Sequence, residues 1–225
     1  EPVQDVARVM SRMADAAIIR TFDHGILEQF SEAATIPVIN ALTDGEHPCQ
    51  TLADLQTIEE SKGSLDGVRV AYIGDGNNVA ISLALGMAST GGHLTIASPV
   101  GYTLPETTEI DVAPLNAKSG GSLKLVSDPV EAVSDADIVY TDVWTSMGQE
   151  EETRIRLEAF KGYQVNPALL DNAPSGVRFM HDLPAHPGEE ISDGLLTDPR
   201  SIAFDQAENR LHAQAGLLHF LFSGA

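Results

Sequence analysis

From Val68 onward, short apolar runs alternate with helix-patterned stretches, and that alternation restricts the fold more than any other feature of the chain. The runs are Val68–Ile73, His93–Ala97, Leu123–Val126, Asp137–Tyr140, Val177–Met180 and Ser201–Phe204. Helical stretches at Val79–Met87, Pro129–Val133, Glu150–Phe160 and Pro167–Asp171 separate most of them. Strands joined through helices pair in parallel, so the pattern predicts a doubly wound α/β sheet. The earlier part of the chain is a shorter version of the same pattern. Val3, Val6, Ala7, Met10, Met13 and Ala14 recur at helical spacing, the run Ala16–Ile19 ends at Arg20-Thr21, a weaker helix surrounds Gly25–Phe30, and Ile36–Ile39 reads as a buried strand. A helix over Thr51–Lys62, carried by Leu52, Leu55 and Ile58 and stopped by Gly63, divides the two parts, and a last helix covers Gln206–Phe222. The expected architecture is two Rossmann-like parallel-sheet domains, the first incomplete: 1–50, a linking helix 51–62, a complete domain 63–205, and a C-terminal helix 206–225. A chain of 225 residues accommodates that.

Charge excludes several function classes. With 33 acidic against 13 basic residues and a formal net charge of −20, the chain repels phosphate backbones and anionic lipid surfaces. No nucleic-acid or membrane partner is expected. The stretch from Asn77 to Pro105 contains no Asp, Glu, Lys or Arg, yet Asn, Ser, Gly and Pro interrupt it, so it is not a membrane span. A single cysteine, Cys49, excludes an internal disulfide and suits a reducing, cytoplasmic setting. No basic segment followed by an apolar run opens the chain, so no signal peptide is expected. It begins Glu1-Pro2 without Met, which reads as a fragment or a processed product.

In open α/β sheets ligands bind beyond the carboxyl ends of the strands. Four expected strands end in polar clusters: Arg20-Thr21, Gly74-Asp75-Gly76-Asn77-Asn78, Thr141-Asp142-Val143-Trp144-Thr145-Ser146-Met147-Gly148, and His181-Asp182-Leu183-Pro184. A fifth candidate, His47-Pro48-Cys49-Gln50, precedes a helix start, where backbone N–H groups favour an anion. Arg20, after four apolar residues, needs an anion or a carboxylate such as Asp44 or Glu46. Gly74-Asp75-Gly76-Asn77-Asn78-Val79 opens like a dinucleotide fingerprint, but Val79 stands at the third glycine position and no acid follows the next strand to hold a ribose. His181, Asp182 and His186, with Glu189 and Glu190 nearby, have no familiar zinc spacing, so neither a metal nor a cofactor is expected. Cys49 reads as a small buried thiol rather than a nucleophile.

Taken in order, these motifs resemble the aspartate/ornithine carbamoyltransferase family along nearly the whole chain. His47-Pro48-Cys49-Gln50 followed by Thr51-Leu52-Ala53-Asp54-Leu55 is similar to the family's motif at the interdomain helix. Thr141-Asp142-Val143-Trp144-Thr145-Ser146-Met147-Gly148-Gln149-Glu150 resembles the ornithine-type signature, and Asp205-Gln206-Ala207-Glu208-Asn209-Arg210-Leu211-His212 matches as well. The resemblance implies transfer of a carbamoyl group from carbamoyl phosphate to the δ-amine of L-ornithine, giving citrulline and phosphate without metal, cofactor or covalent intermediate. It implies catalytic roles for Arg20, His47 and Asp182, carbamoyl-phosphate contacts from Arg20, His47, Gln50, Leu183 and Arg210, and ornithine contacts from Asn78, Asp142, Ser146 and Met147. It also implies a homotrimer or higher homo-oligomer, with residues 1–50 part of the carbamoyl-phosphate domain and 63–205 the ornithine domain.

Three departures accompany the resemblance. Asp182 stands where the family's His-Cys-Leu-Pro motif has Cys, and Pro187 where many bacterial members have Arg. The family's Ser-x-Arg-Thr phosphate loop does not occur in these residues, so the chain as given is expected to be inactive alone. Asp182 and the missing loop keep two alternatives open: a carbamoyltransferase for a different amine, and a non-catalytic homologue that binds the substrates. The surplus of carboxylates over only four lysines is what a salt-adapted protein would carry. Stability measured by thermal melting should therefore rise toward molar salt; full stability in dilute buffer would contradict salt adaptation.

Overall fold

The computed structural model describes residues 1–145 and 150–223. The chain opens with α1 (Val3–Met10), β1 (Ala17–Arg20), α2 (His24–Ala33) and β2 (Val38–Leu42), and the two strands pair in parallel from Ala17 opposite Val38 to Arg20 opposite Leu42. Ala7, Ala17 and Phe30 form the small core beneath them. Next comes α3 (Pro48–Lys62), entered through Pro48, whose missing N–H costs nothing in a first turn, and closed at Gly63 in the left-handed conformation (φ 82°).

The larger unit runs β3 (Arg69–Ile73), α4 (Asn78–Thr90), β4 (His93–Ala97), α5 (Glu106–Ser119), β5 (Ser122–Val126), α6 (Pro129–Val133), β6 (Ile138–Thr141), α7 (Thr153–Ala159), α8 (Pro167–Leu170), β7 (Arg178–His181) and α9 (Ala203–Ser223). Its five strands lie in the order β5-β4-β3-β6-β7, all parallel. The two-residue period of a strand explains why both faces are covered. Val70 and Tyr72 of β3, with Ile138 and Tyr140 of β6, enter a core with Val79, Leu83 and Met87 of α4. Ala71, Ile73 and Val139 point the other way, into a core with Val133, Leu169, Leu170 and Phe179. From β3 the chain winds out to β5 and returns to β6 on the other side. The carboxyl ends of β3 and β6 therefore flank the switch point, where such sheets leave a crevice.

Four expectations need correction. Ser201–Phe204 is not a strand: only Ser201 bridges β7, opposite Phe179, and α9 starts at Ala203. α5 was not foreseen, because it buries only Thr108 and Val112 and carries Pro114 inside it, so it shows no apolar stripe. β2 lies at Val38–Leu42 rather than Ile36–Ile39, since Pro37 has no N–H to give and contributes only its carbonyl, to Ala17 N–H. α1 closes at Met10, before the apolar spacing through Ala14 ends.

One buried carboxylate ties these elements together. Asp54 of α3 is fully buried and accepts hydrogen bonds from Gln50 Nε2 (2.8 Å), Gln206 Nε2 of α9 (2.7 Å) and the Tyr140 hydroxyl of β6 (3.1 Å). Gln206 Oε1 in turn accepts the backbone N–H of His181 at the end of β7 (2.9 Å). Burial raises the Asp54 pKa to about 7 against these three bonds, which lower it. The folded protein thus holds a proton there that the unfolded chain, with the ordinary value of 3.8, has released. Stability from this site is complete below about pH 4 and is lost as pH rises toward 7. Asp54→Asn keeps an oxygen for both glutamines and should abolish that slope in chemical unfolding between pH 4 and 7. Asp54→Ala strands three buried donors and should cost about 3 kcal/mol or more, at roughly 1–3 for each unmade bond; a cost below 1 would show that water replaces the carboxylate.

Candidate active site

Two groups of polar residues face each other across the carboxyl ends of the strands. The first is cationic. Arg20 closes β1 and is exposed, Arg210 projects from α9, and His47, immediately before α3, lies within the electrostatic reach of both. Neither guanidinium has a hydrogen bond or ion pair with any described residue, so the pairing of Arg20 with Asp44 or Glu46 considered from sequence does not form. Asp44 instead accepts His24 N–H (3.1 Å), and Glu46 accepts the Ser82 hydroxyl (3.3 Å). His47 is 4% exposed, and its backbone N–H is fixed on Ser82 Oγ at 2.8 Å, while Nδ1 has no partner. Burial, then Arg210 and Arg20, lower its pKa to about 4. At neutral pH it is an uncharged imidazole between two cations.

Gln50 lies one turn into α3 with its side chain wholly buried. Its amide nitrogen is spent on Asp54, and its Oε1 is buried without a partner. Cys49 is buried, with Sγ 3.3 Å from the Asn40 carbonyl and its pKa raised chiefly by burial, so it is a structural thiol. Asn78 begins α4, but its amide nitrogen is already committed to the Thr43 carbonyl (2.6 Å), which ties α4 to the end of β2.

The second group is acidic. Thr141 pairs with His181 in the β6–β7 register, so the next residues, Asp142 and Asp182, emerge side by side. Asp142 is anchored by Asn77 Nδ2 (2.7 Å) and by the Val143 N–H (2.6 Å). The Asp182 side chain is 10% exposed, and its Oδ1 has no hydrogen-bonding donor. Burial first, then the adjoining charge of Asp142 and the hydrogen bond between the two, hold the Asp182 carboxyl well above the usual carboxylate range. Crowding by a like charge and burial thus act on Asp182 in the same direction, both disfavouring its ionised form. Leu183, next in the turn, has φ 61°, a left-handed conformation rarely adopted by a branched side chain, and its N–H is held by His181 Nδ1 (2.9 Å). Ser146 and Met147, the remaining expected contacts, lie outside the described residues.

Comparison with known proteins decides the family. The model of the aspartate/ornithine carbamoyltransferase Asp/Orn-binding domain matches residues 66–221, and that of the carbamoyl-P-binding domain matches residues 1–60. The chain belongs to the aspartate/ornithine carbamoyltransferase family. It is 52% identical over 225 residues to an ornithine carbamoyltransferase of Acidothermus cellulolyticus, covering all of this chain and 72% of the relative. Among solved structures, the ornithine carbamoyltransferase of Pyrococcus furiosus superposes with a TM-score of 0.96 at 48% identity, over 100% of this chain and 72% of that one. The Gloeobacter violaceus ornithine carbamoyltransferase gives 0.92 at 48%, over 98% and 74%.

Several residues of this carbamoyltransferase that sequence reasoning did not select hold the site in shape. Asn77 caps α4 through Oδ1 and positions Asp142 through Nδ2. Ser82 and Gln206 hold His47 and the β7 end. Arg156 of α7 reaches back to Asp75 (2.6 Å) and the Trp144 carbonyl (3.1 Å), with Tyr102 beneath its guanidinium at 5.1 Å. Asn77 and Asp75, inside the quoted Gly74–Asn78 cluster, and Gln206, inside the quoted Asp205–His212 motif, carried a signal; Ser82 and Arg156 did not. The same cluster is closed to a dinucleotide. A Cβ on Gly76 would lie 2.4 Å from the Thr103 backbone, and Gly76 N–H is already taken by the Tyr102 carbonyl (2.8 Å), so another stretch of chain lies where a pyrophosphate would sit. The Asp75–Arg156 pair is largely buried, with side chains 11% and 8% exposed. Arg156→Met leaves Asp75 charged and unpaired and should cost about 3–5 kcal/mol, whereas Arg156→Met with Asp75→Asn should cost much less. Additive costs in that double-mutant cycle would show that the two charges do not act on each other.

Proposed function

We propose that this chain carries most of a site that transfers the carbamoyl group of carbamoyl phosphate to the δ-amine of L-ornithine, releasing citrulline and phosphate. The observation that supports it best is the pair of uncommitted guanidinium groups, Arg20 and Arg210, on either side of a neutral His47. In a chain of net charge −20, two such cations suit a small dianion. Arg20 and Arg210 take the phosphate oxygens. His47, uncharged at neutral pH, donates to the carbonyl oxygen that gains negative charge during attack, an interaction worth about 3–4 kcal/mol where such a donor is preorganised. Gln50 Oε1 accepts from the carbamoyl amide, and Leu183, held in its left-handed turn, contributes backbone to the same group.

The acidic pair receives the amine. Asn78, Asp142, Ser146 and Met147 hold ornithine, with Asp142 beside an ammonium. Attack requires the δ-nitrogen to lose its proton first, because only the lone pair can form the new N–C bond as the C–O bond to phosphate breaks. A carboxyl with a raised pKa is a better matched proton acceptor than an ordinary one, and Asp182 has that property through burial beside Asp142. The carboxylate also distinguishes the site from the family's Cys-containing motif and supports selection of a cationic amine. Exposed apolar side chains around β1, among them Met13, Ile18 and Phe22, suit a homo-oligomer, and the lone buried cysteine suits a cytoplasmic setting. No helix among the described residues is long and apolar enough to cross a membrane.

Citrulline formation by the protein, with putrescine and N-acetylornithine as competing amines, tests the reading. Ornithine should be preferred; preference for another amine overturns the substrate assignment. Asp182→Asn should lower kcat about 100-fold or more, the scale of a lost general acid or base, and should alter the pH dependence of kcat/KM, whereas Asp182→Cys should retain activity. An Asp182→Asn enzyme with an unchanged pH profile would remove Asp182 from the proton transfer.

A further inference from the structure

A second constellation lies just beyond the turn. Among the described residues, one nitrogen of His186 and one oxygen each of Glu189 and Glu190 lie within 4.8 Å of one another. The three differ in environment: His186 is exposed, Glu189 is half-buried, and the Glu190 side chain is fully buried at 0% exposure. Glu190 Oε1 is fully used, accepting from His181 Nε2 (3.1 Å) and from the His186 backbone N–H (2.5 Å). Its other oxygen, Oε2, is buried with no hydrogen-bond partner, and 4.0 Å away is His186 Nδ1. A buried carboxylate oxygen without a donor costs roughly 1–3 kcal/mol or more, so its position opposite an imidazole and a second carboxylate calls for an occupant.

We infer that His186, Glu189 and Glu190 form a binding site for a divalent transition-metal ion of the zinc class. One imidazole and two carboxylates are a donor set for such an ion, and the fourth position is left to water. Metal–ligand bonds of about 2.0–2.1 Å place tetrahedral donor atoms about 3.3 Å apart, so the present spacings close by about an ångström on side-chain rotation. The two that have to rotate are the two that are not fully buried. Glu190 need not move, because His181 and the His186 backbone fix its carboxylate, as outer partners do for metal ligands. In the sequence these residues stand only among a looser set with His181 and Asp182 that has no familiar zinc spacing, because the buried, donor-free oxygen that singles out these three becomes visible only in the fold. The ion would also pull charge from the carboxylate on which His181 rests, which connects the site to the Asp182-Leu183 turn. The inference stands apart from the transferase reading and fails or holds separately from it.

Calorimetric titration of the purified chain with zinc chloride tests it, with cobalt, magnesium and calcium chlorides as comparisons. Zinc should bind one equivalent with micromolar or tighter affinity and raise Tm, and a chelator should reverse the rise. Cobalt should give the visible absorption of a low-coordinate nitrogen–oxygen site. His186→Ala and Glu189→Gln should each weaken zinc at least about tenfold and remove the cobalt band, while their metal-free Tm stays at the wild-type value because neither side chain is fully buried. Absence of saturable zinc binding overturns the proposal, as does zinc affinity unchanged in both variants, which would place the ion on other histidines. Calcium or magnesium binding as tightly as zinc overturns the zinc-class assignment.

Discussion

The carboxylate of Asp54 is the point on which the two halves of the molecule depend. It reaches no solvent, yet every donor around it belongs to a different part of the site: Gln50 on its own helix, Gln206 on α9, Tyr140 on β6. Each of these bonds fixes something further out. Gln50 is fixed through its nitrogen and keeps its buried oxygen without a partner, Gln206 holds the end of β7 through the His181 N–H, and α9 is set so that Arg210 stands near His47. A hydrophobic residue of similar size would pack as well and specify none of this. The buried polar group is costly, and what it provides is a defined orientation of the surrounding amides.

Electrostatic opposition follows from that frame. On one side of the crevice burial and two guanidinium groups keep His47 neutral; on the other, burial and the adjacent Asp142 hold the Asp182 carboxyl well above the usual range, because their strands leave the two side by side. Neither arrangement is stabilising alone. Like charges are held close by a scaffold that derives its stability elsewhere, from the two cores that sandwich the β3–β6 centre. Such paired strain is relieved when an anion meets the arginines and a cation meets the acids, which is how binding energy becomes selective for a substrate pair of opposite charge.

Much of this was legible in the sequence, and the reason differs by residue. Strands β3, β4, β6 and β7 announce themselves because a buried parallel strand must be apolar on both faces. That Asp142 and Asp182 would emerge together could be read from sequence, because each directly follows an apolar run that folds as a parallel strand, and the β6–β7 register sets the two strand ends side by side. α5 was not legible, since a helix that buries only Thr108 and Val112 leaves no periodic trace. Arg156 and Ser82 were equally silent. Each acts on a partner far away in sequence, Asp75 or Glu46, and no local pattern records a contact made by tertiary folding. The glycine cluster misled in a specific way: Gly76 is small because the Thr103–Leu104 backbone passes over it, not because a phosphate does.

The excess of negative charge sharpens the role of the few cations. Arg8, Arg156 and Arg200 are all paired with carboxylates, at 2.9, 2.6 and 2.7 Å. Arg20 and Arg210 have no such partner among the described residues, and both act on the buried His47. Acids on neighbouring segments take neutral donors instead: Asp44 the His24 backbone, Glu46 the Ser82 hydroxyl, and Asp54 Gln50, Gln206 and Tyr140. With those acids held by donors that carry no charge, the two guanidinium groups beside His47 keep their full charge for an anion in a chain that is otherwise strongly negative.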